Sequence, residues 1–244
     1  MRCGLEGKSA DKQNKESGGT TTFSPEMFFR QLNQCEIAEW AAKHFGSMLS
    51  AMSENDLGTL DDYKNEWSYE INTELRSNSG QAFEYESDVE NLDRILSRCV
   101  IPMRIHTFRA CYAKSFHGLE NASVGDVVCD DGYTSTTLWE EAGKRFLDDY
   151  FCVRELDAEK SDWEIVFVTI NIPPGTKGLY MDYVWEEGSN VSFPEYPGEA
   201  EVMLARGTHF VLKNVQWTRL KDGEKVKVYQ LEAIPGSDVV SQRS

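Results

Sequence analysis

Pro102-Met103-Arg104-Ile105-His106-Thr107-Phe108-Arg109 is where the chain changes its period. Upstream, apolar residues recur every three or four positions. Downstream, they come in short β-branched and aromatic runs cut by Gly and Pro. The clearest upstream stripe is Ile37, Trp40, Ala41, His44, Phe45, Met48, Leu49 and Met52, which predicts one apolar face of a helix, with His44 as a half-buried packing residue. Shorter helical patterns carry Leu57, Leu60 and Tyr63, then Tyr69, Ile71 and Leu75. Ser87 with Glu90 reads as a capping box opening a segment with Val89, Leu92, Ile95 and Leu96. Ser24-Pro25 predicts an earlier helix start, and the polar, Gly/Ser/Lys-rich residues 1–22 read as a flexible leader.

Past Pro102, strands are expected at Ile105–Arg109, Trp163–Ile172, Glu201–Leu204, Thr208–Leu212 and Val226–Ala233. One helix interrupts them, with Thr137 as its cap, Glu140 three residues on, and Leu138, Ala142 and Phe146 along a face. Helices followed by strands imply an α+β fold. A helical lobe (23–100) packs on a largely antiparallel β core (101–240) within one domain, 23–244. No internal repeat is visible.

The 244 residues include 25 Lys/Arg and 41 Asp/Glu, a net charge of −16 spread evenly along the chain. So negative a field repels polyphosphate and anionic lipid, which argues against nucleic-acid or membrane-surface binding and favours a basic partner. A hydrophobic content of 40% is that of a packed domain, and no apolar run is long enough to span a membrane. The N-terminus lacks the apolar core of a secretory signal peptide. Cys3, Cys35, Cys99, Cys111, Cys129 and Cys152 have no metal-ligand spacing and read as buried free thiols.

Three local features could carry chemistry, and each has a plain structural reading. Gly132-Tyr133-Thr134-Ser135-Thr136-Thr137 sets hydroxyls beside a Gly turn; it is either a site or a polar strand end with a helix cap. Glu199-Ala200-Glu201 precedes Val202-Met203-Leu204, and both acids face one side if the strand begins at Glu199. In so acidic a chain such a pair is common by chance. Arg109, after Phe108, is either a site cation or a paired structural arginine.

Taken in order, the three resemble the Arg, Ser-Thr-Ser, Glu-x-Glu signature of the bacterial mono-ADP-ribosyltransferase toxins. Trp163–Ile172 followed by Pro173-Pro174-Gly175-Thr176-Lys177-Gly178 is similar to a strand and turn of that family. Asp62-Tyr63 with Ser68-Tyr69-Glu70-Ile71-Asn72-Thr73-Glu74-Leu75-Arg76 resembles its helical-lobe segment, and Glu201–Phe210 resembles the stretch closing its catalytic strand. Residues 33–215 are covered. The resemblance implies an ADP-ribosyltransferase-like fold with a mixed, mainly antiparallel β-sandwich core.

It also implies roles. Arg109 contacts the NAD phosphates, as a planar cation with paired donors can. Ser135 holds the catalytic glutamate and the nicotinamide ribose, supported by Thr136 and Thr137. Glu201 stabilises the positive, oxocarbenium-like charge that develops as the nicotinamide–ribose bond breaks. Glu199 addresses the acceptor, taking a proton from an arginine guanidinium; relatives with Gln there modify other side chains. Arg76 also reaches the phosphates. Phe151 and Arg154 match an aromatic-x-x-Arg loop that folds over NAD, with Phe146 a rival aromatic. Tyr196 matches a substrate-recognition aromatic whose context is closest to the actin-modifying binary toxins. Two departures stand out: only one such unit fits in 244 residues, and Ala110 replaces the Gly or second Arg of many relatives.

The expected protein is thus a monomeric, metal-independent enzyme that takes NAD as substrate and modifies an arginine of a target protein, with actin a candidate. It would act as an exported toxin or effector in a host cytoplasm. A plain NAD glycohydrolase, and a catalytically dead binding module of the same fold, are the alternatives.

Overall fold

The structure is a computed structural model and describes residues 33–77, 84–157, 160, 162–195, 197–219 and 223–239. The leader, the Ser24-Pro25 helix start and Cys3 lie outside these residues. Helix α1 (Gln34–Ser50) opens at Asn33, whose side chain accepts from the Glu36 N–H at 3.0 Å while the Glu36 carboxylate accepts from the Asn33 N–H at 3.0 Å. Its apolar stripe is buried, and half-buried His44 packs on the Trp40 ring. Helix α2 (Glu54–Asp62), capped by Ser53, continues through a π-helical turn (Tyr63–Trp67) into α3 (Ser68–Ser77). The wider turn resets which side chains face inward: Tyr63 is buried, whereas Tyr69, expected on the apolar face, is 67% exposed.

Helix α4 (Glu86–Leu96) corrects the expected capping box. Ser87 lies inside it, Tyr85 stands at the cap without a side-chain bond, and Glu86 and Asp88 supply favourable charge to the first turn instead. Arg94 and Arg98 of this region reach Asp56 at 2.7 and 2.9 Å, joining α4 to α2. Arg206 binds Asp93 through three contacts of 2.7–3.1 Å, joining α4 to the β core.

Strands β1 (Ile105–Tyr112), β2 (Val127–Asp130), β3 (Thr134–Thr137), β4 (Ile165–Ile172), β5 (Gly178–Tyr180), β6 (Glu201–Leu204), β7 (Thr208–Arg219) and β8 (Lys225–Ala233) form one sheet in the order β2-β7-β8-β4-β1-β3-β6-β5. Only β4 and β8 pair in parallel, so the sheet is mixed and mainly antiparallel. Strands β2 and β3 are joined by residues 131–133, yet stand five ladder steps apart. Flat, that separation would be ~24 Å, beyond the ~15 Å that four Cα–Cα steps can reach. The sheet therefore curls until its ends approach, and Thr134 Oγ1 donates across the gap to Asp130 at 3.1 Å.

The inner face, carrying Ile105, Cys111, Val166, Ile170 and Val202, shares one core with α1 and α4. The outer face of β1, β4 and β8 packs under helix α5 (Glu140–Leu156) through Tyr112, Leu147, Phe167 and Val228. Thr137 does not cap that helix. It ends β3, accepts from the Trp139 N–H at 2.9 Å and donates to the Glu199 carbonyl. Strand β7 runs seven residues past the expected Leu212, through an irregularity at Leu212/Asn214. Cys35, Cys99, Cys111, Cys129 and Cys152 are free thiols, but of these only Cys99 and Cys111 are buried, with Cys35 and Cys129 half-buried and Cys152 exposed.

Candidate active site

Strands β3 and β6 pair with Thr137 opposite Glu201 and Ser135 opposite Met203. The two-residue period of a strand puts Ser135 on the same face as Thr137, diagonal to Glu201. The Ser135 hydroxyl donates to the Glu201 carboxylate through Oε1. Thr136 points to the opposite face, where its hydroxyl donates to the Val202 carbonyl at 2.9 Å and ties the strands together. From the neighbouring strand β1, Arg109 donates through Nη1 to the Ser135 carbonyl at 2.8 Å. Ser135 thus holds an arginine with its backbone and a glutamate with its side chain.

Arg109 lies 3.9 Å from Asp130 and 5.7 Å above the Phe116 ring. Arg76, from α3, grips the same Asp130 through Nε at 2.8 Å and Nη2 at 3.1 Å, and donates to the Tyr133 carbonyl at 3.3 Å. Two guanidinium groups face one carboxylate, so this end of the site carries net positive charge in a chain of net charge −16. That donor set fits a pyrophosphate. Asn72 completes the seam: it accepts from the Tyr133 N–H at 2.7 Å and donates to the Tyr63 hydroxyl at 2.7 Å. A Cβ on Gly132 would come within 2.6 Å of Asn72 Oδ1 and 3.1 Å of Arg76 Nε, so the seam requires glycine there.

The other end is acidic. Glu201 is 8% exposed, and burial raises its pKa above the ordinary 4.5, opposed by the Lys64 ammonium and the Ser135 hydroxyl. Lys64 Nζ lies 4.0 Å from Glu201 Oε2 and pairs with Asp182. Glu199 corrects the expectation of a shared face, because strand β6 begins only at Glu201 and Ala200 sits at φ 51°, in the left-handed region. That kink is pinned by Asp182 Oδ2, which accepts from the Glu199 N–H at 2.9 Å and the Ala200 N–H at 2.7 Å. Glu199 is half-buried and lines an open cleft with Arg145, Phe146, Asp148 and Asp149. One acid is therefore buried on the strand while the other is half-exposed on the open cleft.

Phe151 and Arg154 are not in a loop. Both lie in helix α5, and Phe151 packs half-buried against the outer apolar cluster. The rival Phe146 lines the cleft beside Glu199. Tyr196 and the Arg154 side chain lie outside what the structure describes. Sequence reasoning missed Lys64, Asp130 and Asp182. Lys64 adjoins Tyr63 in a segment already singled out, so a cation among acids was the available signal; Asp182 sits in an irregular connection with none. Among the described residues, no group of three or more His, Cys, Asp or Glu is placed to share a metal ion, and no helix is long and apolar enough to cross a membrane.

Residues 37–233 match the profile of the ADP-ribosyltransferase exoenzyme family. No curated protein sequence matches the chain. Among solved structures, the fold is similar to Plx2a, an ADP-ribosyltransferase toxin from Paenibacillus larvae, at 18% identity and TM-score 0.60 over 82% of this chain and 96% of that one. It is also similar to C3stau2 from S. aureus, solved with NAD, at 21% identity and TM-score 0.56 over 82% and 95%. A third likeness is to BECa, an ADP-ribosylating toxin of a C. perfringens binary enterotoxin solved with NADH, at 18% identity and TM-score 0.57 over 84% of this chain and 50% of that one.

Proposed function

The chain belongs to the ADP-ribosyltransferase exoenzyme family, and from that premise we propose that it moves ADP-ribose from NAD to an arginine of a target protein, as an exported toxin acting in a host cytoplasm. The single observation carrying the reading is Ser135, which binds Arg109 through its carbonyl and Glu201 through its hydroxyl. A cationic and an anionic subsite therefore meet at one residue. NAD supplies the ADP-ribosyl group when its nicotinamide–ribose bond breaks.

Arg109 and Arg76 hold the pyrophosphate; they share Asp130, and their surplus positive charge remains for the ligand. Ser135 fixes the Glu201 rotamer. The buried carboxylate then opposes the positive charge that develops at the ribose, without first having to reorganise, and a group in that role is commonly worth about 10²–10³-fold in rate. Glu199, on the open cleft, orients an incoming guanidinium and takes its proton as the new bond forms. A guanidinium keeps its proton in neutral water, so a carboxylate rather than an amide is required at this position. When water replaces the acceptor, the same site hydrolyses NAD. Actin as acceptor rests on the Tyr196-Pro197-Gly198-Glu199-Ala200-Glu201 context, which resembles that of actin-modifying toxins.

Mass spectrometry of a eukaryotic lysate incubated with the protein and NAD tests the reading. ADP-ribose on arginine is expected, and modification confined to cysteine, asparagine or threonine overturns the arginine assignment.

A further inference from the structure

We propose that Lys64 is a positioning residue of this site, held by Asp182 so that its ammonium faces Glu201 while the same Asp182 fixes the backbone that carries Glu199. The inference rests on the reading of Glu201 as the catalytic carboxylate. Lys64 stands on the π-helical turn, next to buried Tyr63. Its Nζ donates to one oxygen of Asp182 and to the Met181 carbonyl at 3.3 Å. The other Asp182 oxygen accepts from Glu199 and Ala200. One carboxylate thus joins the helical lobe to the kink separating the two glutamates, and both of its oxygens are used in doing so.

The distances assign Lys64 a purpose beyond packing. Ser135 occupies Glu201 Oε1, and Lys64 stands 4.0 Å from Oε2, too far for a direct hydrogen bond yet close enough for strong Coulombic attraction where water is scarce. Oε2 is left able to accept from a substrate hydroxyl while its charge is still compensated. The groups facing Glu201 are Lys64 and Tyr63 from the π turn, Ser135 from β3, Tyr180 from β5, and Asp182 and Glu199 from the segment between β5 and β6. Lys64 is the cation among them. It opposes two further acids, so losing it removes the ammonium that offsets Asp182 and Glu199 around Glu201.

Nicotinamide release from NAD, measured against pH for the wild type, Lys64→Met, Lys64→Arg and Glu201→Gln, tests this. Lys64→Met is expected to move the acid limb of kcat to higher pH, costing about tenfold or more at the acid end and less at the alkaline end. KM for NAD should stay within about threefold. Lys64→Arg, which keeps the charge, should return the limb toward that of the wild type. Lys64→Gln replaces Lys64→Met if the latter fails to fold. A wild-type acid limb in the neutral variants, or a loss confined to KM, overturns the role of Lys64. Retained activity in Glu201→Gln overturns the underlying reading instead, so the two failures are distinguishable.

Discussion

Replacing Arg206 by methionine removes a cation that joins helix α4 to the β core. Arg206 follows strand β6, and its guanidinium meets Asp93 of α4 at 3.0, 3.1 and 2.7 Å. Asp93 is 6% exposed and also accepts from the hydroxyl of buried Tyr133 at 2.9 Å, two residues before Ser135. Methionine fills most of the volume and keeps the apolar stem, so the loss is electrostatic: a buried carboxylate keeps a neutral donor but loses its cation. Breaking one side of a buried pair costs about 3–5 kcal/mol, the same range as the ~4 kcal/mol of two unit charges 4 Å apart at an effective dielectric of 20. In a domain of this size that is a fall of roughly 6–20 °C in Tm. Urea and thermal melts followed by tryptophan fluorescence and circular dichroism read it directly, with the urea m-value unchanged. Asp93→Asn combined with Arg206→Met should be more stable than Arg206→Met alone, because the uncompensated charge is gone. A single-variant loss below about 1 kcal/mol, or a double variant no better than the single, would refute the argument.

Other outcomes follow from the same geometry. Gly132→Ala drives a methyl into Asn72 and Arg76; it should cost about 1–3 kcal/mol and shrink the rise in Tm that NAD produces, whereas an unchanged melt and NAD response would contradict the fit of the seam. Asp56 is almost fully buried; burial opposes its ionisation, but hydrogen bonds from Arg94 and Arg98 prevail and hold its pKa at about 2, below the ordinary 3.8. Its folded pKa is depressed, so its contribution to stability is complete above pH 3.8 and is lost as pH falls toward 2. Acid titration of stability should therefore be flatter over that window in Asp56→Asn than in the wild type. Glu201 has the opposite sign: its pKa is raised above 4.5, so the acid limb of activity should lie above that value and move further up in Ser135→Ala, which removes a hydrogen bond to the ionised form.

The parts of the molecule legible in the sequence are those where one local pattern has one structural consequence. The Ile37–Leu49 stripe forms a buried helix face because its spacing leaves only one side apolar, while β4 is a nearly unbroken apolar run and β8 alternates apolar with polar residues, so both read as strands without further context. Ser135 and Glu201 stood out as residue types in order along the chain. Their contact, however, depends on the β3·β6 register, which no local pattern encodes. The same holds for Arg76 and Asp130, which meet across 54 positions of sequence. Two same-face glutamates were a fair inference for a regular strand, but a left-handed Ala200 is stabilised by Asp182, a distant carboxylate, and not by its own neighbours. The loop expected around Phe151 is a helix for the reverse reason. The helical spacing of Phe151 from Leu147 satisfies a local pattern, and the apolar outer face of β1, β4 and β8 rewards that helix with burial. The short strands β2 and β5 have too few residues for alternation to register.

The central claim is that Glu201 and Glu199 divide the chemistry, and it is tested most directly by nicotinamide release from NAD with and without agmatine, a small guanidine acceptor. Glutamine preserves shape at both positions, so the comparison isolates charge. Glu201→Gln should lose about 10²–10³-fold or more in release under both conditions, while Glu199→Gln should keep release into water and lose transfer to the guanidine. Wild-type release by Glu201→Gln, or undiminished transfer by Glu199→Gln, would contradict the account.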